Sequence, residues 1–141
     1  MSLPASQIAE LQQHAIAAAH HSYSPYSHFR VGAALLLEVP ADTIVSGCNV
    51  ENASYRLTTC AEQAAIAAAV SQHGPNSRIR AIAIVNLNNS PSEPCGACRQ
   101  TIAEFSTPTT RIYFPAADGT TAEATLADLL PAAFTLQHPE K

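Results

Sequence analysis

Apolar residues along this chain follow two rhythms. Near the start, Ile8, Leu11, Ala15, Ile16 and Ala19 recur every three or four positions, with Gln7, Glu10, Gln12, Gln13 and His14 mostly between them. That spacing predicts an amphipathic helix. Residues 22–28 (SYSPYSH) end it, with Pro25 as the stop. Residues 29–37 (FRVGAALLL) form a dense apolar run suited to a buried strand, 39–42 (VPAD) read as a turn, and 43–50 as a second strand. The two strands predict a hairpin. After the polar stretch 51–59 comes an alanine-rich helix over 60–72, ended by Gly74-Pro75-Asn76. Residues 78–85 alternate, with Ile79, Ala81 and Ala83 set against Ile82, Ile84 and Val85. Both faces are apolar, as in a central strand covered on two sides. A polar loop (86–94) leads into a short helix over 95–105, then strands at 111–114 and 121–124 around an Asp118-Gly119 turn. A last helix starts at Leu126 and is closed by Pro131. The order α, β-hairpin, α, β, α, β, β, α predicts one sheet with helices on both faces.

Composition narrows this picture. The 141 residues suit one domain, residues 1–141. Charged residues make up 13% and hydrophobic ones 47%. The usual charged fraction is about 25%, so disorder is excluded. Net charge is −4, and the basic residues are six arginines and the terminal Lys141. No basic run exists from which a nucleic-acid groove could be built. The first 21 residues lack the basic and continuous apolar regions of a secretory signal, and no apolar run reaches the roughly 20 residues of a membrane span. The expectation is a soluble, cytoplasmic protein with no membrane partner. In that compartment four cysteines read as metal or catalytic residues before disulfides.

Three of those cysteines carry the chemistry. Cys60-Ala61-Glu62 is followed by Pro94-Cys95-Gly96-Ala97-Cys98, and each set stands where a loop turns into a predicted helix. Helix starts favour anions, and thiolates there make good metal ligands. Three protein ligands with an open fourth position is the pattern of catalytic zinc. Glu62, two residues after a ligand, would lie near that position as a group able to take and return a proton. Two other readings stay open at this point. Cys-Gly-Ala-Cys by itself is also a redox motif, and a structural zinc site could draw a fourth ligand from Cys48 or a histidine. None of the histidines (His14, His20, His21, His28, His73, His138) stands two residues before a glutamate ahead of the CxxC. They are therefore expected not to be ligands, and Cys48 is expected to be a small buried residue.

The chain resembles the small, homotetrameric type of cytidine deaminase, nearly end to end. The resemblance runs through residues 24–29 (SPYSHF), 31–35 (VGAAL), 47–55 (GCNVENASY), 60–62 (CAE), 94–100 (PCGACRQ) and 129–131 (LLP). It implies a three-layer α/β/α fold with one mixed five-stranded sheet, and one zinc per subunit on Cys60, Cys95 and Cys98. It implies that Glu62 moves protons from the attacking water to N3 of the pyrimidine and then to the departing amino group. It further implies that Phe29 packs on the base, the Ala61 amide and the Cys95 carbonyl region contact it, and Asn49 and Glu51 bind the ribose hydroxyls. Phe134 would come from a neighbouring subunit of a homotetramer, with Tyr26 and Tyr55 at subunit contacts.

One position departs from the family. An arginine usually follows the catalytic glutamate and offsets the thiolate charge, and this chain has Gln63. Arg56 or Arg99 could compensate. The activity so implied is hydrolytic deamination of cytidine and 2′-deoxycytidine in pyrimidine salvage. The competing readings are deamination of another cytosine compound such as a nucleotide, polynucleotide editing, and a zinc module without catalysis. A nucleotide substrate needs a cationic phosphate site and a polynucleotide needs a basic face, and neither cluster is present. Glu62 counts against a module without catalysis. Scarce charge also points to surface hidden between subunits, since obligate interfaces are apolar.

Overall fold

The computed structural model describes residues 1–136, so His138 and Lys141 lie outside the described residues. The order is α1 (Ala5–Ala19), β1 (Val31–Val39), β2 (Thr43–Cys48), a short 3-10 turn (Tyr55–Leu57), α2 (Ala61–His73), β3 (Arg78–Asn86), α3 (Gly96–Glu104), β4 (Arg111–Pro115), β5 (Thr121–Thr125) and α4 (Leu126–Leu129). The strands form one sheet in the order β2-β1-β3-β4-β5. β1 pairs antiparallel with both β2 and β3, β3 pairs parallel with β4, and β4 antiparallel with β5. The sheet is mixed and five-stranded, as expected.

Successive side chains of β1 point to opposite faces. Ala33, Leu35 and Leu37 join the larger core, with Ile66 and Ala69 of α2, Ile102 of α3, and Ile82 and Ile112. Ala34 and Leu36 face the other way, onto Leu11 and Ala15 of α1 and onto Tyr113. The result is three layers, with α1 on one face and α2 and α3 on the other. Each fully buried isoleucine, such as Ile82 or Ile112, adds about 1.5–3 kcal/mol of burial.

Expectations about Ile16, Ile79 and Val85 fail. The pattern places Ile16 on the buried stripe of α1, but it is 41% exposed. The packed positions are Leu11, Ala15 and Ala19, strictly four apart, and Ile16 lies beside that line. The pattern groups Ile79 with Ala81 and Ala83 and Val85 with Ile82 and Ile84, yet Ile79 joins Ile82 and Ile84 in the larger core and Val85 packs with Ala81 and Ala83 on the other face. The pairing steps from Leu36↔Ala81 to Leu37↔Ile79, which skips Arg80, and an extra residue in a strand reverses the facing of what precedes it.

Two glycines let the helices approach the sheet. A Cβ on Gly32 would stand 1.9 Å from Ala15 O, and one on Gly47 would stand 2.5 Å from Ala65 N. Gly47 thus lets α2 lie against β2.

Candidate active site

Strand direction brings the site together. β2 and β3 are both antiparallel to β1, so they run the same way and their C-terminal ends share one edge of the sheet. α2 follows β2 and α3 follows β3, so both helices start near that edge. Cys60 is the N-cap of α2 and Cys95 the N-cap of α3. The loop between β2 and α2 closes on itself: Val50 and Thr59 exchange both backbone hydrogen bonds at 2.9 Å. This returns the chain to Cys60 directly beside Asn49. At the other helix start, Cys98 N–H donates to Cys95 Sγ at 3.4 Å.

The Sγ atoms of Cys60, Cys95 and Cys98 all lie within 4.8 Å of one another. A tetrahedral zinc with Zn–S of about 2.3 Å sets its sulfurs roughly 3.8 Å apart, so the three fit that ion after small adjustment. Among the described residues, neither Cys48 nor a histidine joins the cluster, which leaves a fourth position open. The structural-zinc reading loses its fourth ligand. The redox reading fails too, because it gives Cys60 no part. Cys48, expected to be buried, is half-buried at the end of β2.

The thiols share protons through hydrogen bonds. Donation from the Cys98 thiol, with a smaller contribution from Cys95, lowers Cys60 to about 7 against the opposing effects of burial and Glu62. The same bond to Cys60, together with burial, pushes Cys98 up. Glu62 is 5% exposed. Burial raises its carboxyl above the usual range, opposed by hydrogen bonds from its own amide and from Cys98.

A cavity of about 210 Å³ opens over the cluster, lined by Phe29, Asn49, Cys60, Ala61, Glu62 and Cys95 among others. That is below the roughly 300–1,000 Å³ of drug-sized sites and suits a small substrate. Among the described residues its lining holds two carboxylates, Glu62 and Glu93, and no Lys, Arg or His. A second cavity of about 340 Å³, beside Ala103, Leu126 and Leu130, has no titratable side chain in its lining among the described residues.

The remaining sequence-derived positions divide. Phe29, Asn49 and Ala61 line the cavity. Asn49 is 8% exposed, accepting at Oδ1 from Val31 N–H at 3.0 Å and donating from Nδ2 to Phe29 O at 2.7 Å. Glu51 lies outside the lining. Its Oε1 accepts from the amides of Tyr26 (3.0 Å) and Ser27 (3.2 Å), and its Oε2 from the Ser27 hydroxyl. The Ser27 hydroxyl oxygen in turn accepts from Phe29 N–H at 3.0 Å, which links Glu51 to the base of the cavity wall. These bonds, led by Ser27, hold the Glu51 carboxyl below its ordinary value. Tyr26 and Tyr55 meet edge to face with centroids 6.2 Å apart, and Tyr55 is 72% exposed. Phe134 is 68% exposed and lies outside this lining.

Neither Arg56 nor Arg99, the two arginines that could compensate the thiolates, lines the cavity, and Arg99 is engaged elsewhere. It donates from Nε to Pro94 O at 2.7 Å and from Nη1 to Leu129 O at 2.9 Å, bracing the loop before Cys95. Gln63 turns to its own helix start, where its Oε1 accepts from Cys60 N–H at 3.2 Å. Sequence reasoning also missed Thr58, Ser92 and Glu93 in the cavity lining. The position of Ser92 and Glu93 just before a helix start between two strands was the available signal.

A mixed sheet that delivers three cysteines and a buried glutamate from two helix starts has the donor set of a zinc hydrolase. The family model for the cytidine and deoxycytidylate deaminase zinc-binding region matches residues 5–114. A cytidine deaminase of Halalkalibacterium halodurans is 43% identical over 127 residues, covering 90% of this chain and 93% of that protein. One of Sporosarcina psychrophila is 48% identical over 118 residues, 84% of each. The crystal structure of cytidine deaminase from Mycobacterium tuberculosis superposes with a TM-score of 0.78 at 42% identity, over 91% of this chain and 97% of that one. The chain belongs to the cytidine deaminase family. It is a zinc-dependent hydrolase.

Proposed function

We propose that this chain, as one domain over residues 1–141, converts cytidine and 2′-deoxycytidine with water into uridine and 2′-deoxyuridine plus ammonia, in cytoplasmic pyrimidine salvage. The observation that carries this reading is the buried Glu62 in the same cavity as a three-sulfur cluster with an open fourth position. Cys60, Cys95 and Cys98 hold the zinc. When bound, zinc supplies Lewis acidity that makes water nucleophilic near neutral pH.

The chain's own groups do the rest. Glu62 takes a proton from the attacking water and delivers it to N3 of the base as the water oxygen bonds to C4; it then carries the proton of the new C4 hydroxyl to the amino group, so that C4=O forms, the C4–N bond breaks and ammonia leaves. One buried carboxylate serves both steps because it stands in the cavity beside the cluster, and burial, which raises its pKa, makes its ionised form a stronger proton acceptor. Phe29 packs against the base, and the Ala61 N–H and the Cys95 carbonyl meet its polar edge. Asn49 offers its remaining N–H to a sugar hydroxyl. Glu51 accepts from a sugar hydroxyl at the free lone pair of Oε2 while it shapes the 24–28 loop. The carboxylate-lined cavity supports a neutral nucleoside over a nucleotide.

The proposed assembly is a homotetramer. Tyr23 and Val50 are joined by a backbone bridge, Tyr26 and Tyr55 by ring contact, and all four are exposed beside the site. Such a patch supports a partner surface at Tyr26 and Tyr55, with Phe134 reaching a neighbour's cavity. The test is ultraviolet-monitored turnover of cytidine, 2′-deoxycytidine, CMP and cytosine, with zinc counted per chain. Turnover of the two nucleosides alone supports the reading, and a zinc-loaded protein inert toward both refutes it. Sedimentation at low concentration tests the tetramer, which a stable monomer would rule out.

A further inference from the structure

Asn49 brings to the cavity an amide whose other hydrogen-bonding positions are already filled. Its Oδ1 has two lone pairs. One accepts from Val31 N–H and the other from the Ser22 hydroxyl. Of the two Nδ2 hydrogens, one goes to Phe29 O. A backbone N–H can only donate and a carbonyl can only accept, so Val31 and Phe29 dictate which way the amide faces. What remains is one N–H on a residue that lines the cavity.

The Ser22 hydroxyl faces two oxygens. Ser22 Oγ also lies 3.1 Å from Ser24 Oγ, and Ser24 is buried. Ser22 has one hydroxyl hydrogen, and Asn49 Oδ1 can only accept it. Ser22 is placed as donor toward both Asn49 Oδ1 and Ser24 Oγ, and the closer contact, to Asn49, takes its one hydrogen. That bond polarises the amide, so its last N–H becomes a better donor. Backbone bonds hold the segments together here: Tyr23 N–H donates to Asn49 O at 3.1 Å and Glu51 N–H to Tyr23 O at 2.8 Å. Ser22, next to Tyr23, is thus held against the 49–51 segment by main chain.

We infer that Ser22 is a positioning residue for substrate binding: its hydroxyl closes Asn49 Oδ1 to the ligand and leaves the free Asn49 N–H as that side chain's sole contact, directed at a sugar hydroxyl oxygen. This rests on the reading of the cavity as a cytidine site. Without the Ser22 hydroxyl, Oδ1 has an open lone pair that water or the sugar hydroxyl can occupy. The amide then holds two competing arrangements with the substrate in place of one.

The experiment is steady-state kinetics of the zinc-loaded protein with cytidine and with 2′,3′-dideoxycytidine, which lacks both sugar hydroxyls. Ser22→Ala raises KM for cytidine roughly three- to tenfold, the scale of one net hydrogen bond, with kcat changed less than about twofold. For the dideoxy substrate KM changes less than about twofold, and Ser22→Thr, which keeps the hydroxyl, restores the cytidine value. A general structural role for Ser22 would shift both substrates equally, and that result overturns the inference. Wild-type discrimination between the two substrates with an unaltered Ser22→Ala variant overturns the Ser22 inference alone. Wild-type protein indifferent to the sugar hydroxyls removes the sugar contact itself and overturns both readings.

Discussion

Replacing Gly47 by alanine tests whether the approach of α2 to the sheet sets the metal site. The added Cβ would lie 2.5 Å from Ala65 N, 2.9 Å from Ala64 C and 3.0 Å from Ala64 Cβ. Two of these are backbone atoms of α2, so no side-chain rotation relieves them. Ordinary contact begins at about 3.4 Å, so the helix must withdraw by roughly 0.9 Å at that point. Overpacking of this kind costs about 1–3 kcal/mol. For a chain of this size that lowers Tm by about 3–10 °C. The local consequence is sharper, because α2 carries Cys60 and Glu62 on its first turn while Cys95 and Cys98 stay on α3. Metal ligands tolerate about 0.2 Å, and a 1 Å misplacement of reacting groups can cost about 10²-fold in rate. Gly47→Ala is thus expected to weaken zinc binding about 10–100-fold, and kcat by a similar factor in the zinc-saturated variant. Zinc titration against a competing chelator, zinc-dependent Tm and kcat at saturating zinc measure this. A variant with lowered Tm but the same zinc affinity, the same zinc-induced gain in Tm and the same kcat would refute the link between α2 packing and the site.

Three other outcomes follow from the same geometry. Glu62→Gln keeps the carboxylate's volume and removes its proton transfer; zinc content stays at the wild-type level and turnover falls by at least about 10⁴-fold, the upper range for one acid–base group, as read by ultraviolet assay and metal analysis. Removing zinc with a chelator, or substituting Cys98→Ala, abolishes turnover and lowers Tm, because metal binding to a site formed only in the fold contributes folding free energy; a scan showing identical Tm with and without metal would contradict it. Asp128 caps α4 by accepting from Thr125 N–H at 2.9 Å, and that bond holds its carboxyl below the ordinary value of 3.8. A depressed folded pKa contributes stability above the unfolded value and loses it as pH falls through the folded one. The stability difference between the protein and Asp128→Ala is therefore constant above about pH 5 and shrinks below pH 4, as urea titrations across pH would show.

The elements were legible in the sequence for different reasons: α1 shows a helical period, β1 a dense apolar run, α2 an alanine-rich stretch ended by Gly74-Pro75, and β3 an alternation with both faces apolar. Boundaries shifted by one or two residues: the run from Phe29 begins its strand at Val31, and the run to Val50 ends its strand at Cys48. Ile79 was misplaced because a skipped residue at Arg80 leaves the apolar composition intact while reversing the facing. The three cysteines and Glu62 were legible as a set because each stands at a helix start, where sequence marks position well. The wiring around them was not. Ser22 meets Asn49 across 27 positions and Arg99 meets Leu129 across 30. Such contacts depend on how loops fold over one another, and no period records them. Arg99 is the instructive case: charge suggested a thiolate partner, and the fold uses its planar donors on two carbonyls.

Those two carbonyl bonds and the Gln63 cap bear on how this chain balances charge at the metal. Three thiolates and Zn²⁺ sum to −1, and among the described residues no cationic side chain lines the cavity over them. Arg99 is spent on Pro94 and Leu129, and Gln63 on the Cys60 amide. What the described residues offer instead is main chain: Cys60 and Cys95 stand at the positive ends of α2 and α3, and Cys98 N–H donates to Cys95 Sγ. A helix start is effective only while it stays aligned with the thiolate, whereas an arginine side chain can follow small movements. The site is therefore tied more closely to the placement of α2 and α3 than one with an arginine beside the thiolates. Gly47, which admits α2 to the sheet, and Arg99, which braces the loop before α3, hold the two dipoles on the metal. The scarcity of charge in the composition reaches into the active site, where backbone does the electrostatic work.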